Sequence, residues 1–332
     1  MTNQTMHSLS VIIPNYNGRH LLEAYLPSVI TALQQSGSVY EIIIVDDCSK
    51  DGSITFLEEH YPGILLQANP ENKGFSYTCN KGIAIARYEL CLLLNSDVKL
   101  DPDYFSHQFA YFDKDDTFGV MGRIMSADGS RIEDAARILF YQGCRLKANR
   151  FYYSTAPGDD QVYTAYLSGA NALISTKKLR ELGGFDEIYS PFSSEDSDLS
   201  TRAWLLGWKC YYEHRSVCYH QVSGSTKTQI KSDFIKKIYY RNRFVFHRIH
   251  LEGFRAFIWP FYLLLLEVLP KLLSGNFWVL ESYTDYLKLG DAVKSSKSLF
   301  KSMKQKYHSN LRISDIMNTI NMSISSKSIK RL

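Results

Sequence analysis

Several absences narrow the reading of this 332-residue chain before any motif does. No G-x-G-x-x-G follows the first apolar strand, which counts against a nicotinamide-type dinucleotide site. The Gly-rich, basic phosphate loop that a nucleotidyltransferase would need near that strand is missing as well. The six cysteines (Cys48, Cys79, Cys91, Cys144, Cys210, Cys218) form no C-x-x-C pair. Such scattered thiols are expected to be packed and reduced rather than metal ligands. The polar start MTNQTMHS has neither the charged nor the apolar region of a signal peptide, so a cytoplasmic protein is expected. No internal repeat or low-complexity linker stands out. The most apolar stretch, FIWPFYLLLLEVLP from Phe257 to Pro270, is interrupted by Pro260, Glu267 and Pro270 and reads as shorter than the ~20 residues of a standard membrane span.

What is present is a globular composition, 45% hydrophobic and 22% charged, on a chain long enough for one large domain with an appendage. The net charge of +4 hides a division. Residues 226–332 hold 19 Lys+Arg against 7 Asp+Glu, a balance of +12, which leaves −8 on residues 1–225. A basic C-terminal third predicts an anionic partner surface, either membrane lipid or nucleic acid.

The first half alternates strand and helix patterns, the signature of a mostly parallel sheet. Strands are predicted at Leu9–Ile13, Glu41–Val45, Ile64–Gln67 and Glu89–Leu94, with helices at Leu21–Gln35, Ser53–His60 and Ser76–Arg87. Asp101 followed by Pro102 predicts a further helix start. Residues 119–164 show no clear period and read as loops and short strands. A strand is then expected over Tyr166–Ser175, interrupted by Gly169, followed by a short helix. Next comes a helix capped by Ser193 or Ser194, with Leu199, Trp204 and Leu205 on its apolar face and Gly207 as its stop.

The stretch LLLNSDV (Leu92–Val98) raises the functional question, because an unbroken apolar run ends in an amide, a hydroxyl and a carboxylate. Ligands of open α/β sheets bind at the carboxyl ends of such strands. PNYNG (Pro14–Gly18) and VDDCSKDGS (Val45–Ser53) occupy the same kind of position. Asp46 and Asp47 fit a turn, yet a carboxylate there could also accept a hydrogen bond from a base N–H. Glu195, Asp196 and Asp198 fall in the first turn of a helix, where acidic residues suit the macrodipole. Asp198 and Arg202 stand at i,i+4 and are expected to pair, giving Asp198 a structural role. Glu195 and Asp196 have no local partner, and neighbouring carboxylates raise one another's pKa, which favours a base.

Eight motifs in order, VIIPNYNG, VDDCSKDGS, ENKGFSYTCNKGI, LLLNSDV, SGANALIS, GGFDE, SSEDSDLSTRAWLLGW and YHQVSGST, resemble those of family 2 inverting glycosyltransferases with the GT-A fold. The likeness spans about residues 9–226 and is greatest to the bacterial rhamnosyltransferase-like branch of surface-polysaccharide assembly. It implies a Rossmann-like nucleotide-binding α/β domain over residues 8–226, with a donor half at 8–100 and an acceptor half at 101–226. A helical, membrane-interfacial region at 227–290 and a basic Lys/Ser-rich tail at 291–332 would follow.

By the same resemblance, Pro14, Asn15, Tyr16, Asp47, Asn72, Lys73, Asn95 and Ser96 would hold the nucleotide of a UDP- or dTDP-sugar. Asp97 and His220 would bind a divalent cation, Mn2+ or Mg2+, that offsets charge on the leaving diphosphate. Asp196 would be the base, with Gly169, Ala170, Asn171 and Glu195 facing a lipid-linked or glycan acceptor. Two departures matter: Asn95 stands where many relatives outside this branch have Asp, which leaves the metal site one negative charge fewer and dependent on the nucleotide, and NSD and EDSD replace the commoner NPD and EDVD, which bears on the donor. A catalytically silent nucleotide- or glycan-binding scaffold is the competing reading, and retention of Asp47, Asp97, Asp196 and His220 together argues against it.

In isolation, KKIYYRNRFVFHR (Lys236–Arg248) could serve nucleic acid, since basic and stacking groups alternate. The apolar segment after it, with Trp259 and Tyr262, points instead to an interfacial segment on anionic lipid, with a helix packed on the catalytic domain as the alternative. The expected location is therefore the inner face of the plasma membrane, without nucleic acid.

Overall fold

A computed structural model describes residues 6–156, 161–221 and 232–332. Val222–Thr226 of the YHQVSGST motif and the expected boundary at 226 lie outside the described residues.

The first half runs β1 (Leu9–Asn15), α1 (Arg19–Ser36), β2 (Tyr40–Asp46), α2 (Ser53–His60), β3 (Leu65–Ala68), α3 (Phe75–Ile85) and β4 (Leu90–Leu94). β1 pairs in parallel with both β2 and β4, and β2 with β3. These strands are apolar on both faces because both faces are covered. Val11, Ile13, Ile42, Ile44, Leu92 and Leu94 enter one core, and Ile12, Ile43, Val45, Cys91 and Leu93 enter the other.

β5 (Val98–Leu100) follows, and no α-helix begins at Asp101. Tyr104 N–H donates to Asp101 O (3.1 Å) and Ser106 N–H to Asp103 O (2.9 Å), so the chain advances in i→i+3 turns to a short 3-10 helix at Phe109–Asp113. These tight turns let the adjacent rings of Tyr104 and Phe105 both enter the core.

The middle of the chain is more regular than its sequence pattern. β6 (Thr117–Ser126), β7 (Ile132–Asp134), β8 (Ala136–Gln142), β9 (Arg145–Ser154) and β10 (Val162–Tyr163) follow one another. β8 and β9 belong to a second, antiparallel sheet. Their apolar alternation is masked because guanidinium groups cover rings: Arg150 lies 3.8 Å from the Phe140 centroid, and Arg137 lies 4.5 Å from Phe151 and 4.4 Å from Tyr166.

The strand expected over Tyr166–Ser175 is only β11 (Asn171–Ser175), because Asn171 N–H closes a turn onto Ser168 O at 3.2 Å. Helices α4 (Thr176–Glu181) and α5 (Glu195–Leu205) lead to β12 (Lys209–His220). Ser194 stands at the N-cap of α5 without a side-chain cap bond, since its φ of 77° turns the chain in the left-handed region. The main sheet runs β10-β12-β6-β11-β4-β1-β2-β3. β11 is antiparallel to β4 and β6, whereas β12 parallels β6. The carboxyl ends of β1, β2, β4 and β12 therefore meet the amino end of β11 at one edge.

The C-terminal third packs onto this body as α6 (Ser232–His250), α7 (Gly253–Leu273), α8 (Trp278–Lys288), α9 (Gly290–Lys306), α10 (Ile313–Ser325) and β13 (Ile329–Arg331). Residues 291–332, expected as a tail, are built into the fold. Ile313, Ile316, Ile320 and Ile324 bury one stripe of α10, and β13 pairs with β9. The apolar segment also differs from expectation. Pro260 and Pro270 do not end the helix, and a π-helical stretch at Leu263–Val268 carries it to 21 residues, long and apolar enough to cross a membrane by length and composition. Trp259, Leu263, Glu267 and Val268 face inward, while Phe254, Phe257, Phe261, Leu264 and Leu265 are exposed.

Candidate active site

The sheet edge collects most of the expected nucleotide residues. Pro14, Asn15, Tyr16, Asp47, Asn72, Asn95, Ser96 and Asp97 line one cleft of about 460 Å3. Lys73 does not line it. Its ammonium is drawn to Glu71 at 2.5 Å, and only its backbone N–H serves the cleft, through Asp47. Asp47 is almost wholly committed to shaping the cleft. Its Oδ1 accepts from Asn69 Nδ2 (2.7 Å) and Lys73 N–H (2.8 Å), and its Oδ2 from Gly74 N–H (2.8 Å). Asp46 likewise holds Asn15 Nδ2 (2.8 Å) and Ser49 N–H (2.8 Å). These bonds fix both loops at the ends of β1 and β2.

Sequence reading passed over Phe75, Pro191, Phe192 and Phe234, which also line the cleft. The contact of Gly74 with the Pro191 loop is close: a Cβ at Gly74, whose φ is +85°, would lie 2.7 Å from Pro191 Cα. Phe75 N–H donates to Pro191 O at 2.9 Å. No local pattern could reveal this contact, which spans more than a hundred residues.

Asp97 and His220 meet because β12 runs antiparallel to β5, placing His220 opposite Val98. His220 Nε2 lies 3.4 Å from Asp97 Oδ2, and its Nδ1 lies 3.4 Å from Glu133 Oε2. Asp97 chiefly, with Glu133, holds the imidazole above its ordinary range despite partial burial. Asp97 Oδ1 is buried without a hydrogen-bond partner. Glu133 was hidden in the stretch whose pattern is masked.

Asp196 forms the next wall, in a separate cavity of about 500 Å3 that Glu195 and Arg137 also line. Burial raises the Asp196 carboxyl above its ordinary range, although Arg137, Ser197 and the N–H of Gly169 pull the other way. Burial and the adjacent Asp196 raise Glu195 as well, and its Oε2 has no hydrogen-bond partner. Gly169 joins the two spaces. A Cβ there would lie 3.3 Å from Phe75 Cζ in the cleft and 3.9 Å from Asp196 Cβ. Ala170 O accepts from Asn95 N–H at 3.2 Å. Asn171, expected to face the acceptor, is fully buried and donates its amide to Gly122 O at 3.0 Å inside the sheet.

The loop before Asp196 is held from α6. Ser193 and Ser194 have φ values of 81° and 77°, a conformation that non-glycine residues rarely adopt without support. Buried Asn242 supplies it, with Nδ2 donating to Phe192 O (2.8 Å), Ser193 O (2.9 Å) and Tyr189 O. Beneath them, Asp198 pairs with Arg202 Nε at 2.7 Å as expected, and also accepts from Tyr189 Oη (3.0 Å) and His250 Nε2 (2.7 Å).

Residues 10–183, just over half the chain, match the profile of Glycosyl transferase family 2. The chain belongs to this family. Over 225 residues this family 2 protein is 32% identical to TuaG of Bacillus subtilis, a glycosyltransferase assigned by name to teichuronic acid biosynthesis. That alignment covers 63% of this chain and 88% of TuaG. Over 241 residues it is 24% identical to the N-acetylglucosaminyl-diphospho-decaprenol L-rhamnosyltransferase of Mycobacterium tuberculosis, covering 66% of this chain and 77% of that one. The crystal structure of GalNAc-T7 with UDP, GalNAc and Mn2+ shares the fold, with a TM-score of 0.67 at 15% identity, covering 98% of this chain and 59% of that one. The α/β body is thus a GT-A fold with a helical C-terminal region.

Proposed function

We propose that this family 2 glycosyltransferase moves a sugar from UDP or dTDP to a hydroxyl of a lipid-linked or polysaccharide acceptor, with inversion, in bacterial surface-glycan assembly. The observation that carries it is the junction at Gly169, which sets the cleft containing Asp47 and Asp97 directly beside Asp196. The names of the relatives, one of teichuronic acid biosynthesis and one acting on a diphospho-decaprenol glycan, support the setting.

In this reading residues 8–100 serve the donor and 101–226 the acceptor, from its hydroxyl inward. Asp196 accepts the proton of the acceptor hydroxyl while that oxygen forms its bond to the anomeric carbon. The bond to the diphosphate breaks on the opposite face, and its electron pair leaves with the nucleoside diphosphate. A raised carboxyl pKa suits this role, because a more basic carboxylate takes the proton more readily.

Asp97 and His220 fit a divalent cation: they offer one oxygen and one imidazole, and Asp97 Oδ1 has unused acceptor capacity. Among the described residues no three His, Cys, Asp or Glu side chains converge to hold a metal without help. Diphosphate oxygens would complete the set, and Mn2+ in the GalNAc-T7 structure supports a cation of this kind. When bound, the cation would offset charge developing on the leaving diphosphate. The exposed apolar row of α7, with the basic C-terminal third, supports a peripheral position on the inner membrane face.

The test is a binding panel of UDP, dTDP and GDP with and without Mn2+, followed by NMR of the product formed from the preferred nucleotide-sugar and an acceptor extract. An inverted anomeric centre and loss of transfer in excess chelator are expected. Nucleotide binding without turnover would mean a silent scaffold.

A further inference from the structure

A cavity of about 810 Å3 between the end of α6, α9 and the start of α10 shares no lining residue with the nucleotide cleft or with the cavity beside Asp196. α9 presents Lys297, Lys301 and Lys304 to it, at the i, i+4 and i+7 spacing of a single helix face. Arg312, just before α10, lines it too, and Glu252 is the one carboxylate on its walls. Four cations thus meet one acid. The ordinary reading of a lysine stripe is a solvated face, and neighbouring lysines show that case: Lys288 pairs with Asp285 at 2.8 Å and Lys294 with Asp291 at 2.9 Å. The cavity cations differ, because none of the four forms an ion pair among the described residues.

Two of them are fixed to backbone carbonyls instead. Lys297 Nζ donates to Arg248 O at 3.2 Å, near the C-terminal end of α6, and Lys304 Nζ to Leu311 O at 2.6 Å. An ammonium has three donors, so each held lysine keeps some for a ligand. Burial, with Arg248 adding to it, lowers the Lys297 ammonium below its ordinary range although Glu252 pulls the other way, as expected where positive charge gathers without a counterion.

The cavity also reaches the support of the loop that carries Asp196. His250 lines it and is buried, and its Nε2 lies 2.7 Å from Asp198 Oδ1, which accepts from Tyr189 Oη as well. Tyr189 O and Ser193 O share the amide of Asn242. Phe300 of α9 meets the His250 ring edge-on at 6.5 Å, and Ser309 Oγ donates to O of Leu205, the last residue of α5, at 2.5 Å. A ligand that draws α9 and residues 308–312 together would therefore bear on both ends of α5.

We propose that this cavity is an effector site for a phosphate-bearing ligand, held by Lys297, Lys301, Lys304 and Arg312, whose binding stiffens the loop carrying Asp196. A lone carboxylate would leave most of that charge unanswered, whereas a dianionic phosphate or a diphosphate matches it. The volume lies within the range of small-molecule sites. Two sources satisfy this chemistry, a free phosphorylated compound and the headgroup of an anionic lipid, since Glu252 and Arg312 also line an adjoining cavity with Phe254 and Tyr262 of α7.

Inorganic diphosphate, titrated calorimetrically into the full chain with chelator present so that no divalent cation assists binding at Asp97, tests this. A double variant, Lys301→Gln with Arg312→Gln, should bind it at least about tenfold more weakly than the parent, since one charge-assisted bond is worth that much. Neither residue forms an ion pair among the described residues, so the variant should fold. A control variant, Lys288→Gln with Lys294→Gln, removes the same charge outside the cavity and should keep the parental affinity. An equal loss there would mean a diffuse positive field and overturn the site. Vesicles of phosphatidylglycerol and of phosphatidylcholine separate the sources. Phosphatidylglycerol binding that falls in the double variant but not in the control identifies a lipid headgroup, and binding equal in both identifies a free compound. Hydrogen exchange at residues 189–198 should slow severalfold when diphosphate saturates the parent. Failure of the parent to bind diphosphate, unchanged exchange on binding, or a loss of binding seen only in Asp97→Asn would overturn the proposal.

Discussion

The proposed donor cleft and the proposed acceptor wall touch across Gly169 but are assembled in opposite ways. The cleft takes most of its polar groups from the ends of neighbouring parallel strands, where they close an apolar run: Asn15 at the end of β1, Asp47 after β2, Asn95 to Asp97 after β4. The wall gathers Arg137 and Lys147 from an antiparallel sheet, Asp196 from the first turn of α5, and Arg243 from α6. A strand end delivers its residue by backbone geometry alone, whereas a wall of this kind exists only after distant elements have packed. The polar groups of the cleft should therefore tolerate changes in the C-terminal helices away from Phe234, the ring that α6 adds to the cleft, and the wall should not.

The sharpest test of that contrast is Asp196→Asn. Transfer should fall by about 10²- to 10⁴-fold, the usual contribution of a general base, while nucleotide affinity is unchanged. Parental rates would remove Asp196 from the mechanism. In the parent, the raised Asp196 carboxyl predicts a rate that climbs with pH as the proton leaves, with a midpoint above the ordinary 3.8. The asparagine variant should lack that rise.

Asn242→Leu probes the wall from α6 and reaches the cleft only through the carbonyl of Phe192 on its rim. The carbonyls of Tyr189, Phe192 and Ser193 lose the amide they share, at a cost of roughly 2–3 kcal/mol by denaturant unfolding. With Ser193 and Ser194 no longer held in left-handed conformations, kcat should drop by a larger factor than the donor KM rises. A donor KM that rises in step with the loss of kcat would show that α6 supports the cleft as well.

Asp198 offers a smaller, pH-dependent version. Burial alone would raise its carboxyl, but Arg202 and His250 outweigh burial and hold it down to about 2. Because the folded value lies below the ordinary 3.8, the stabilisation is full above that pH and is lost as pH falls toward about 2. The swing amounts to roughly 2 kcal/mol. Unfolding curves of the parent and of Asp198→Asn across this window should converge at the acid end.

The mildest change is on the outside of α7. Replacing Phe257 and Phe261 together by serine should alter stability by no more than about 0.5 kcal/mol each, because both rings are exposed. Co-sedimentation with anionic vesicles should nevertheless fall, and the remaining binding should be released by salt. Unchanged sedimentation would mean that another surface meets the lipid.

The same contrast explains how much could be read in advance. The parallel half was legible because a run such as EIIIV or LLLN announces both a doubly covered strand and the polar residue at its end, and the observed strands differ from expectation by a residue or two. The Asp198–Arg202 pair was legible because i,i+4 spacing on a helix is local. Residues 119–164 were not, because Arg–ring contacts replaced the apolar alternation that marks a strand. Asp101–Pro102 misled because the cap signal is local while burial of Tyr104 and Phe105 decided the turns.

By itself, then, the sequence determined the positions of the parallel strands, the carboxylates at their ends and the acidic first turn of α5, since a doubly covered strand shows as an unbroken apolar run and a helix as a period of 3.6 residues. Tertiary structure alone decided the rest. Asp97 meets His220 through the register of β5 with β12. Asn171 disappears into the sheet because β11 begins there. The segment around Pro260 and Pro270 continues as one helix because its inner side packs Trp259, Leu263 and Val268, and Glu267 draws Arg145 and Arg243 together from more than ninety residues apart. Contacts between residues so far apart in the chain leave no local periodicity, so they are specified only when the core closes.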